Sequence, residues 1–580
     1  MSFWSELRRR KVVRVGITYL IVALAVAEGA DIFLPQLGAP AWVVPVILGL
    51  LVLGFPLALV LAWAYEITPE GVIRDSAGSA APSSVSTRMP SAVSKGPAGS
   101  GAAPSSSRRN DSRPSVAVLP LMNMSGDADN EFFSDGVTED ILTHLSCVKS
   151  LRVTSRTSVM QYKGTTKTIR EIAGELGVDS VLEGSIRVSG GKVRVSVQLI
   201  DAEADDHIWA EAYDRSLEDV FAVQSDVARA VATALQAELS PQEVDQICYQ
   251  PTENIEAYTL CLRGEEVMAG WAPADLEHAV GYFEAALRLD PGYARPRAGL
   301  AMVLALGPVF TGRMPAGYHE RVEQAALDAL ELDQGLALAH AALATGRWTR
   351  HFDWSGAQTA LDRAIELAPG DPLVRGSQVF YLIMHERFDE ALAAWEGVEV
   401  GPRETILVRG SSSFAYYYSG RAEQGLAIAE EGLRDAPDSA MLLYHKGVAL
   451  GHLDRFEEAA AALGRAATID PELTLAVAVR TLYLAQLGRV EEVQHEFDRL
   501  VNWAGSEPVG SFVIAIAHQA LGDTETALGL YEKAVDEGDF LAPFLRSSPR
   551  FRPMRAHPRF QALLQRMWPD HGPFEVDGDN

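Results

Sequence analysis

The chain has 580 residues and a formal net charge of −27 at pH 7, and this length predicts several domains. An acidic balance of this size argues against nucleic acid as a partner, because phosphate binding needs clustered Lys and Arg, and it favours partners with basic or apolar segments. The cysteines, Cys147, Cys248 and Cys261, are odd in number and form no CxxC pair, which argues against a disulfide framework or a zinc site.

Two apolar runs in residues 1–75 predict a membrane anchor of two transmembrane helices. The runs cover about residues 12–34 and 41–65, and the second has no charged residue. At about 1.5 Å of rise per residue, a helix of that length crosses a hydrocarbon layer of about 30 Å. Trp42 and Tyr65 lie at its ends, where amphipathic rings favour the interface.

The basic cluster Arg8, Arg9, Arg10 and Lys11 precedes the first run and predicts a cytoplasmic N-terminus. A two-span hairpin returns the following domains to the cytoplasm, whereas a single span would place them in the periplasm. A cleaved signal peptide is the alternative for the first run, but no A-x-A-like site follows and a second run comes close behind.

The anchor resembles a segment of bacterial membrane proteins that precedes a soluble domain and tetratricopeptide repeats. The matching stretches are FWSELRRRKVVRVGITYLIVALAVAEGAD, which begins at Phe3, and GFPLALVLAWAYEITPEGV, which ends at Val72. The resemblance implies a multi-pass protein of the bacterial inner membrane. Residues 76–113, rich in Ser, Pro, Gly and Ala and without aromatic residues, predict a disordered linker.

Residues 114–240 predict a small α/β domain, because short apolar strands alternate with helices. The strands are expected at 115–120, 151–155, 180–189, 192–201 and 207–213, and helices at 132–150, 168–176 and 217–239. Gly190 and Gly191 join two of the strands as a hairpin, since glycine readily adopts positive φ. Thr168 and Glu171 have the spacing of a capping box, and Gly177 stops that helix.

This domain resembles the TolB-like (FlgO-like) family over nearly all of residues 114–240. The stretches that carry the resemblance are SVAVLPLMNMSGDADNEFFSDGVTEDI, LRVTSRTSVMQYKG, IREIAGELGVDSVLEGSIR and VRVSVQLIDAEADDHIWAEAYDR. The resemblance implies a non-catalytic interaction or sensor domain attached to a membrane or envelope protein.

Two short motifs admit a chemical interpretation, and both are weak. Gly190-Gly191-Lys192 lacks the GxxxxGK[ST] pattern and the following helix of a phosphate-binding loop. The acidic turn Asp201–Asp206 can attract a divalent cation, but its spacing is not that of an EF-hand. No GxSxG, HExxH or CxxC motif occurs, so we expect no enzyme activity, no cofactor and no metal site.

A period of 34 residues dominates residues 255–545 and predicts about eight helix-turn-helix repeats. The register residues are Ala357, Ala391, Gly425, Ala459, Val493 and Ala527. Small side chains at fixed positions allow paired helices to approach closely. The pattern resembles the tetratricopeptide repeat family and implies an all-α solenoid, which residues 546–580 are expected to close as a capping segment and tail.

The 34-residue register directs a set of apolar, mainly aromatic side chains into the groove lined by the first helix of each repeat. These candidate partner-binding residues are Phe380, Ile383, Phe414, Tyr417, Tyr444 and Phe512. The alternative is that they pack against neighbouring repeats or the capping segment.

Anchor, linker, α/β domain and solenoid together predict a membrane-anchored, non-catalytic scaffold or adaptor that binds other proteins or peptides. The alternative is a sensor or regulatory subunit of a signalling system, because the same pair of domains occurs, in resembling chains, behind adenylate-cyclase or winged-helix output domains.

Overall fold

The structure, a computed structural model, describes residues 65–68, 71–74, 113–125, 130–268, 273–311, 318–395, 398, 405–506 and 509–570. These residues fall into two units, 1–107 and 108–580. In the first unit, β1 (Tyr65–Thr68) pairs with β2 (Gly71–Arg74) in an antiparallel hairpin. The predicted spans lie outside the described residues, apart from Tyr65, and none of the described helices has the length and apolar character needed to cross a bilayer.

The second unit begins with a mixed sheet backed by helices. Its strands are β3 (Ser115–Val118), β4 (Met122–Asn123), β5 (Arg152–Val153), β6 (Ser180–Ser189), β7 (Lys192–Asp201) and β8 (Asp206–Ser216). The order is β5-β3-β6-β7-β8, with β4 also paired to β6. The pairs made by β3 are parallel, whereas β6, β7 and β8 form an antiparallel meander.

The helices of this domain follow the apolar pattern of the sequence. They are α1 (Glu131–Ser146), α2 (Arg156–Met160), α3 (Ile169–Leu176), α4 (Val220–Ala234) and α5 (Pro241–Ile247). The capping box of Thr168 and Glu171 is confirmed, and Gly177 ends α3 in the left-handed conformation. The hairpin is also confirmed, with Gly190 and Gly191 both at positive φ between β6 and β7.

From Ile255 onward the described helices form consecutive pairs. The pairs are α6 (Ile255–Met268) with α7 (Pro273–Leu289), α8 (Ala294–Thr311) with α9 (Tyr318–Leu332), α10 (Ala337–Arg350) with α11 (Trp354–Leu367), α12 (Pro372–Met384) with α13 (Phe388–Ala393), α14 (Thr405–Tyr418) with α15 (Ala422–Asp435), α16 (Ala440–His452) with α17 (Phe456–Ile469), α18 (Thr474–Gln486) with α19 (Val490–Ser506), and α20 (Ser511–Ala520) with α21 (Thr524–Asp536). The chain continues with α22 (Phe544–Ser547) and α23 (Pro558–Met567).

The 34-residue register is confirmed by the helix boundaries. Successive second helices, from α11 to α21, begin at Trp354, Phe388, Ala422, Phe456, Val490 and Thr524, each 34 residues after the last. The register residues, such as Ala357 and Ala459, are fully buried. Their small side chains therefore occupy the contact between the paired helices, as the pattern predicts.

A buried polar cluster fastens the α/β domain to the first repeats. The Arg295 guanidinium of α8 donates to Asp140 of α1 at 2.8 Å and to both oxygens of Glu265 of α6 at 2.6 and 2.7 Å. The Tyr258 hydroxyl also donates to Asp140, and the Gln224 amide of α4 donates to Asp140 at 3.0 Å. Charge-assisted bonds thus join α1 and α4 of one domain to α6 and α8 of the other.

Candidate functional site

The groove residues selected from the register lie together, and the protein itself covers them. Phe380 is on α12, Phe414 and Tyr417 on α14, Tyr444 on α16 and Phe512 on α20, so five residues come from the first helices of four repeats. All are buried except Phe414, which is half-buried. The sixth, Ile383, is fully buried in the same core cluster. We call the surface formed by these first helices the groove.

The covering element is the C-terminal segment, residues 539–568. Phe540 packs edge-on against Phe380 with ring centroids 5.7 Å apart, and Phe544 packs against Phe414 at 5.2 Å. Phe551 reaches Phe512 at 5.8 Å. Aromatic rings at these separations and angles attract one another beyond the effect of area burial alone. In this structure the groove residues therefore pack against the C-terminal segment, which was the alternative interpretation of these residues.

The C-terminal segment is held at both of its ends. Near its beginning Phe540 contacts Trp348 of α10 at 6.2 Å, and at its end Trp568 stacks on Trp354 of α11 at 5.2 Å. The Trp354 indole also donates to the Met567 carbonyl at 2.7 Å. Arg559 of α23 pairs with Glu532 of α21 at 2.7 Å. The segment thus contacts the last pair and also returns to the third pair.

The sequence prediction included packing of the groove residues against a capping segment as an alternative, but it did not identify the residues of that segment that make the contacts. It treated residues 546–580 as an end cap, but the aromatic anchors begin earlier, at Phe540. The sequence feature that could have revealed these contacts is the run of Phe540, Phe544 and Phe551 after the last repeat. Three large apolar side chains that lie outside the 34-residue register must pack against another part of the protein to be buried.

A cavity of about 60 Å³ remains between the groove and the C-terminal segment. Its apolar wall includes Phe414, Met441 and Phe544. Its polar groups are the Tyr417, Tyr418 and Tyr444 hydroxyls, the Ser411 hydroxyl, the His445 imidazole and the Arg550 guanidinium. The Tyr417 hydroxyl lies 3.1 Å from His445 Nδ1.

Burial controls the protonation of these groups. It lowers the pKa of His445 to about 3, so the imidazole is neutral at physiological pH. It raises the pKa of Tyr444, and the positive charge of Arg550 partly opposes that rise. The phenols are therefore neutral as well. Arg550 is the one charged residue among the described residues that line the cavity.

The other candidate motifs carry out structural roles in the described residues. Asp201 Oδ1 accepts hydrogen bonds from the backbone amides of Glu203 and Ala204, at 3.0 and 2.8 Å, so this carboxylate closes its own turn. In the part of the chain that the structure describes, no cluster of three potential metal ligands occurs. Cys147, Cys248 and Cys261 are free thiols.

Two protein families match parts of the chain. The tetratricopeptide repeat family matches residues 442–473, which correspond to the pair of α16 and α17. The second domain of HilA/YgeH-like transcriptional regulators matches residues 112–230. Within the C-terminal repeats, the pair of α16 and α17 therefore matches a tetratricopeptide repeat. For the α/β domain the matching family is HilA/YgeH-like, and the TolB-like assignment stays a prediction.

Among curated proteins, the chain is 37% identical over 245 residues to "Putative adenylate cyclase 3" of Rhizobium meliloti (strain 1021). The match covers 42% of this chain and 41% of the relative, so the chain spans about two fifths of that protein's length.

Solved structures similar to the chain include other repeat proteins. A thermophilic TPR protein of Thermus thermophilus is 16% identical with a TM-score of 0.27, and the match covers 33% of this chain and 98% of that one. YrrB, described as a TPR protein with an unusual peptide-binding site, is 21% identical with a TM-score of 0.23 over 34% and 98% of the two chains. Human IFIT1 with m7Gppp-AAAA is 13% identical with a TM-score of 0.35 over 61% and 86%. TM-scores this low support no conclusion about the present chain.

Proposed function

We propose that the protein is a non-catalytic interaction scaffold, anchored in a bacterial inner membrane, whose groove receives an apolar segment of a partner protein in exchange for its own C-terminal segment. The observation that carries the proposal is the seating of Phe540, Phe544 and Phe551 on the first helices of the repeats. A surface that holds one aromatic segment has the shape and chemistry to hold another.

The charge of the chain suits such a partner. With a formal net charge of −27, the protein attracts basic sequences around an apolar anchor and repels acidic ones. The hairpin and linker predicted from residues 1–113 would keep the scaffold at the cytoplasmic side of the membrane, with a periplasmic location as the alternative.

A sensor or regulatory subunit of a signalling system is the second candidate. The 37% identity to a protein named as a putative adenylate cyclase and the match to a transcriptional-regulator domain favour it. In this case the α/β domain and repeats would control an output carried by another chain. An assay of cyclic-AMP formation by the purified full-length protein distinguishes a regulatory subunit from a protein that has its own cyclase activity. We expect no cyclic-AMP formation.

Exchange at the groove is tested with a fluorescent peptide copied from residues 537–556 and added to the full-length protein in a mild detergent. The tethered segment competes at a high effective concentration, so the wild type should bind the peptide weakly. Phe544→Ala removes one anchor of the tethered segment, at a cost of about 3–5 kcal/mol, and should strengthen peptide binding by more than about tenfold.

Two further variants complete this experiment. Adding Phe414→Ala to Phe544→Ala removes the ring in the groove that receives the anchor, and should abolish the gain. Leu521→Ala, which alters an exposed apolar residue, is the matched control and should bind the peptide as the wild type does. Equal peptide binding by the wild type and Phe544→Ala would contradict exchange at the groove.

A further inference from the structure

Among the described residues no carboxylate pairs with Arg550, in contrast to three other arginines of the C-terminal segment. Arg546 faces Glu386 at 3.6 Å, Arg559 faces Glu532 at 2.7 Å, and Arg566 also pairs with a carboxylate. The described groups that interact electrostatically with Arg550 include the hydroxyls of Tyr418, Tyr444, Tyr483 and Tyr417, and the guanidinium donates a hydrogen bond to Tyr444. Neutral phenols supply dipoles but do not neutralise a guanidinium.

An unneutralised guanidinium at the wall of an apolar cavity is costly without an anion. Arg550 is half-buried and lines the cavity beside Phe544 and Phe551. Removing a charge from water is unfavourable unless it is paired and hydrogen-bonded. The backbone carbonyl of Arg550 accepts a hydrogen bond from the Gln519 amide at 3.4 Å, which links this part of the segment to α20.

We propose that this cavity binds a small monocarboxylate, held by the Arg550 guanidinium and the Tyr444 hydroxyl. One positive charge matches a monovalent anion. A carboxylate is planar and accepts two parallel hydrogen bonds from a guanidinium. The phenol hydroxyl adds a donor of the kind that recognises an anionic oxygen.

The cavity also selects by size and polarity. At about 60 Å³ it has room for a molecule of a few heavy atoms. Its wall of Phe414, Met441 and Phe544 is apolar and suits a short hydrocarbon chain attached to the carboxylate. We therefore take propionate as the probe. The inference goes beyond the proposed scaffold function, because it concerns a small molecule and does not require a protein partner.

Isothermal titration calorimetry of the full-length protein in a mild detergent tests the site with three probes. Propionate should bind, whereas propionamide, which has the same shape but no charge, should bind at least about tenfold more weakly, since hydrogen bonds to charged groups contribute about 1.5–3 kcal/mol. Inorganic phosphate should bind more weakly than propionate because its second charge has no partner. Absence of propionate binding, or equal binding of propionamide or phosphate, would overturn the proposal.

Variants assign the binding to Arg550. Arg550→Gln should weaken propionate binding by about ten- to a hundredfold, and Tyr444→Phe, which keeps the ring and its packing, should weaken it severalfold. Arg566→Gln makes the same charge change at an exposed ion pair of the segment and should bind like the wild type. Should Arg550→Gln fail to fold, Tyr444→Phe decides: unchanged propionate binding in this variant counts against the site.

Discussion

Single buried side chains in the groove make stability depend on pH. His445 of α16 is buried and its Nδ1 lies 3.1 Å from the Tyr417 hydroxyl. Its folded-state pKa of about 3 is far below the ordinary value of 6.5 because burial penalises the imidazolium. Below pH 6.5 the unfolded chain therefore takes up a proton that the folded chain does not.

The expected consequence is a loss of stability on acidification to which His445 contributes. Its contribution to the free energy of unfolding should fall by about 1.4 kcal/mol per pH unit between pH 6.5 and pH 3, or by about 2 kcal/mol between pH 7 and pH 5. Urea denaturation at pH 7 and at pH 5 should show that acidification lowers the free energy of unfolding by about 2 kcal/mol more in the wild type than in His445→Gln. An exposed-site control, His278→Gln, should follow the wild type, and a His445→Gln variant with the same pH dependence as the wild type would contradict the assignment.

At this scale the sequence predicted which side chains converge and offered a capping segment as one alternative for their contacts, but it did not predict which residues cover them. The register identified Phe380, Phe414 and Phe512 because each occupies a repeated position. Their contacts with Phe540, Phe544 and Phe551 involve residues outside the repeat, and no periodicity specifies which ring meets which. The cavity and the place of Arg550 in its wall depend on these contacts and could not be predicted from the chain alone.

The turns inside the repeats have a common backbone conformation that the sequence pattern conceals. The residues two positions before successive second helices are Phe352, Glu386, Gly420, Asp454, Gly488 and Gly522, and every one has positive φ, between 49° and 78°. Their spacing is again 34 residues. Because three of the six are not glycine, the residue type does not reveal the position, whereas the left-handed turn itself recurs.

We expect substitutions at two of these turns to have different effects. Gly420→Ala should lower the free energy of unfolding by about 1–2 kcal/mol, because a Cβ is unfavourable at a φ of 78°. No atom lies within 4 Å of the added Cβ, so steric overlap does not contribute. Asp454→Gly relieves the same strain and should leave stability unchanged or raise it by up to about 1 kcal/mol.

The measurement is equilibrium denaturation by circular dichroism at 222 nm. Gly281→Ala, at a helical glycine with open space around it, is the control and should stabilise the protein by about 0.5–1 kcal/mol. A Gly420→Ala variant as stable as the wild type would show that the turn does not constrain the repeat.

Secondary structure was predicted well where local signals are strong. The long strands β6 and β7 and the glycines between them were assigned correctly, because alternation and a two-residue turn are short-range features. The two-residue strand β4 was not predicted, because it owes its form to pairing with β6, which local sequence does not encode, whereas β5 lies inside the strand predicted at 151–155.

At the scale of the whole molecule, the α/β domain and the repeats of the second unit form a continuous body. The Arg295 cluster joins helices separated by more than 150 positions in the chain, with Asp140 at one side and Glu265 at the other. Burial raises the pKa of Glu265, while the charge of Arg295 opposes that rise. Arg295 is therefore the cation that pairs with two half-buried carboxylates.

Arg295→Gln should lower the free energy of unfolding by about 3–5 kcal/mol, because it leaves Asp140 and Glu265 without their counter-ion. Arg465→Gln, which breaks an exposed ion pair with Asp438, should cost less than about 1 kcal/mol. Chemical denaturation followed by fluorescence measures both. Equal losses in the two variants would show that the cluster does not hold the domains together.

The return of Trp568 to Trp354 has a consequence for how this protein evolves. Ordinary repeat arrays contact only their neighbours and tolerate the gain or loss of a unit. Here the distance from Phe540 to Phe551 must match the spacing of α12, α14 and α20, and the last tryptophan must meet the third pair. Duplication or deletion of a repeat between these points would move the binding positions of the aromatic anchors away from the anchors themselves. The contacts of the C-terminal segment therefore constrain the number of repeats in this part of the array.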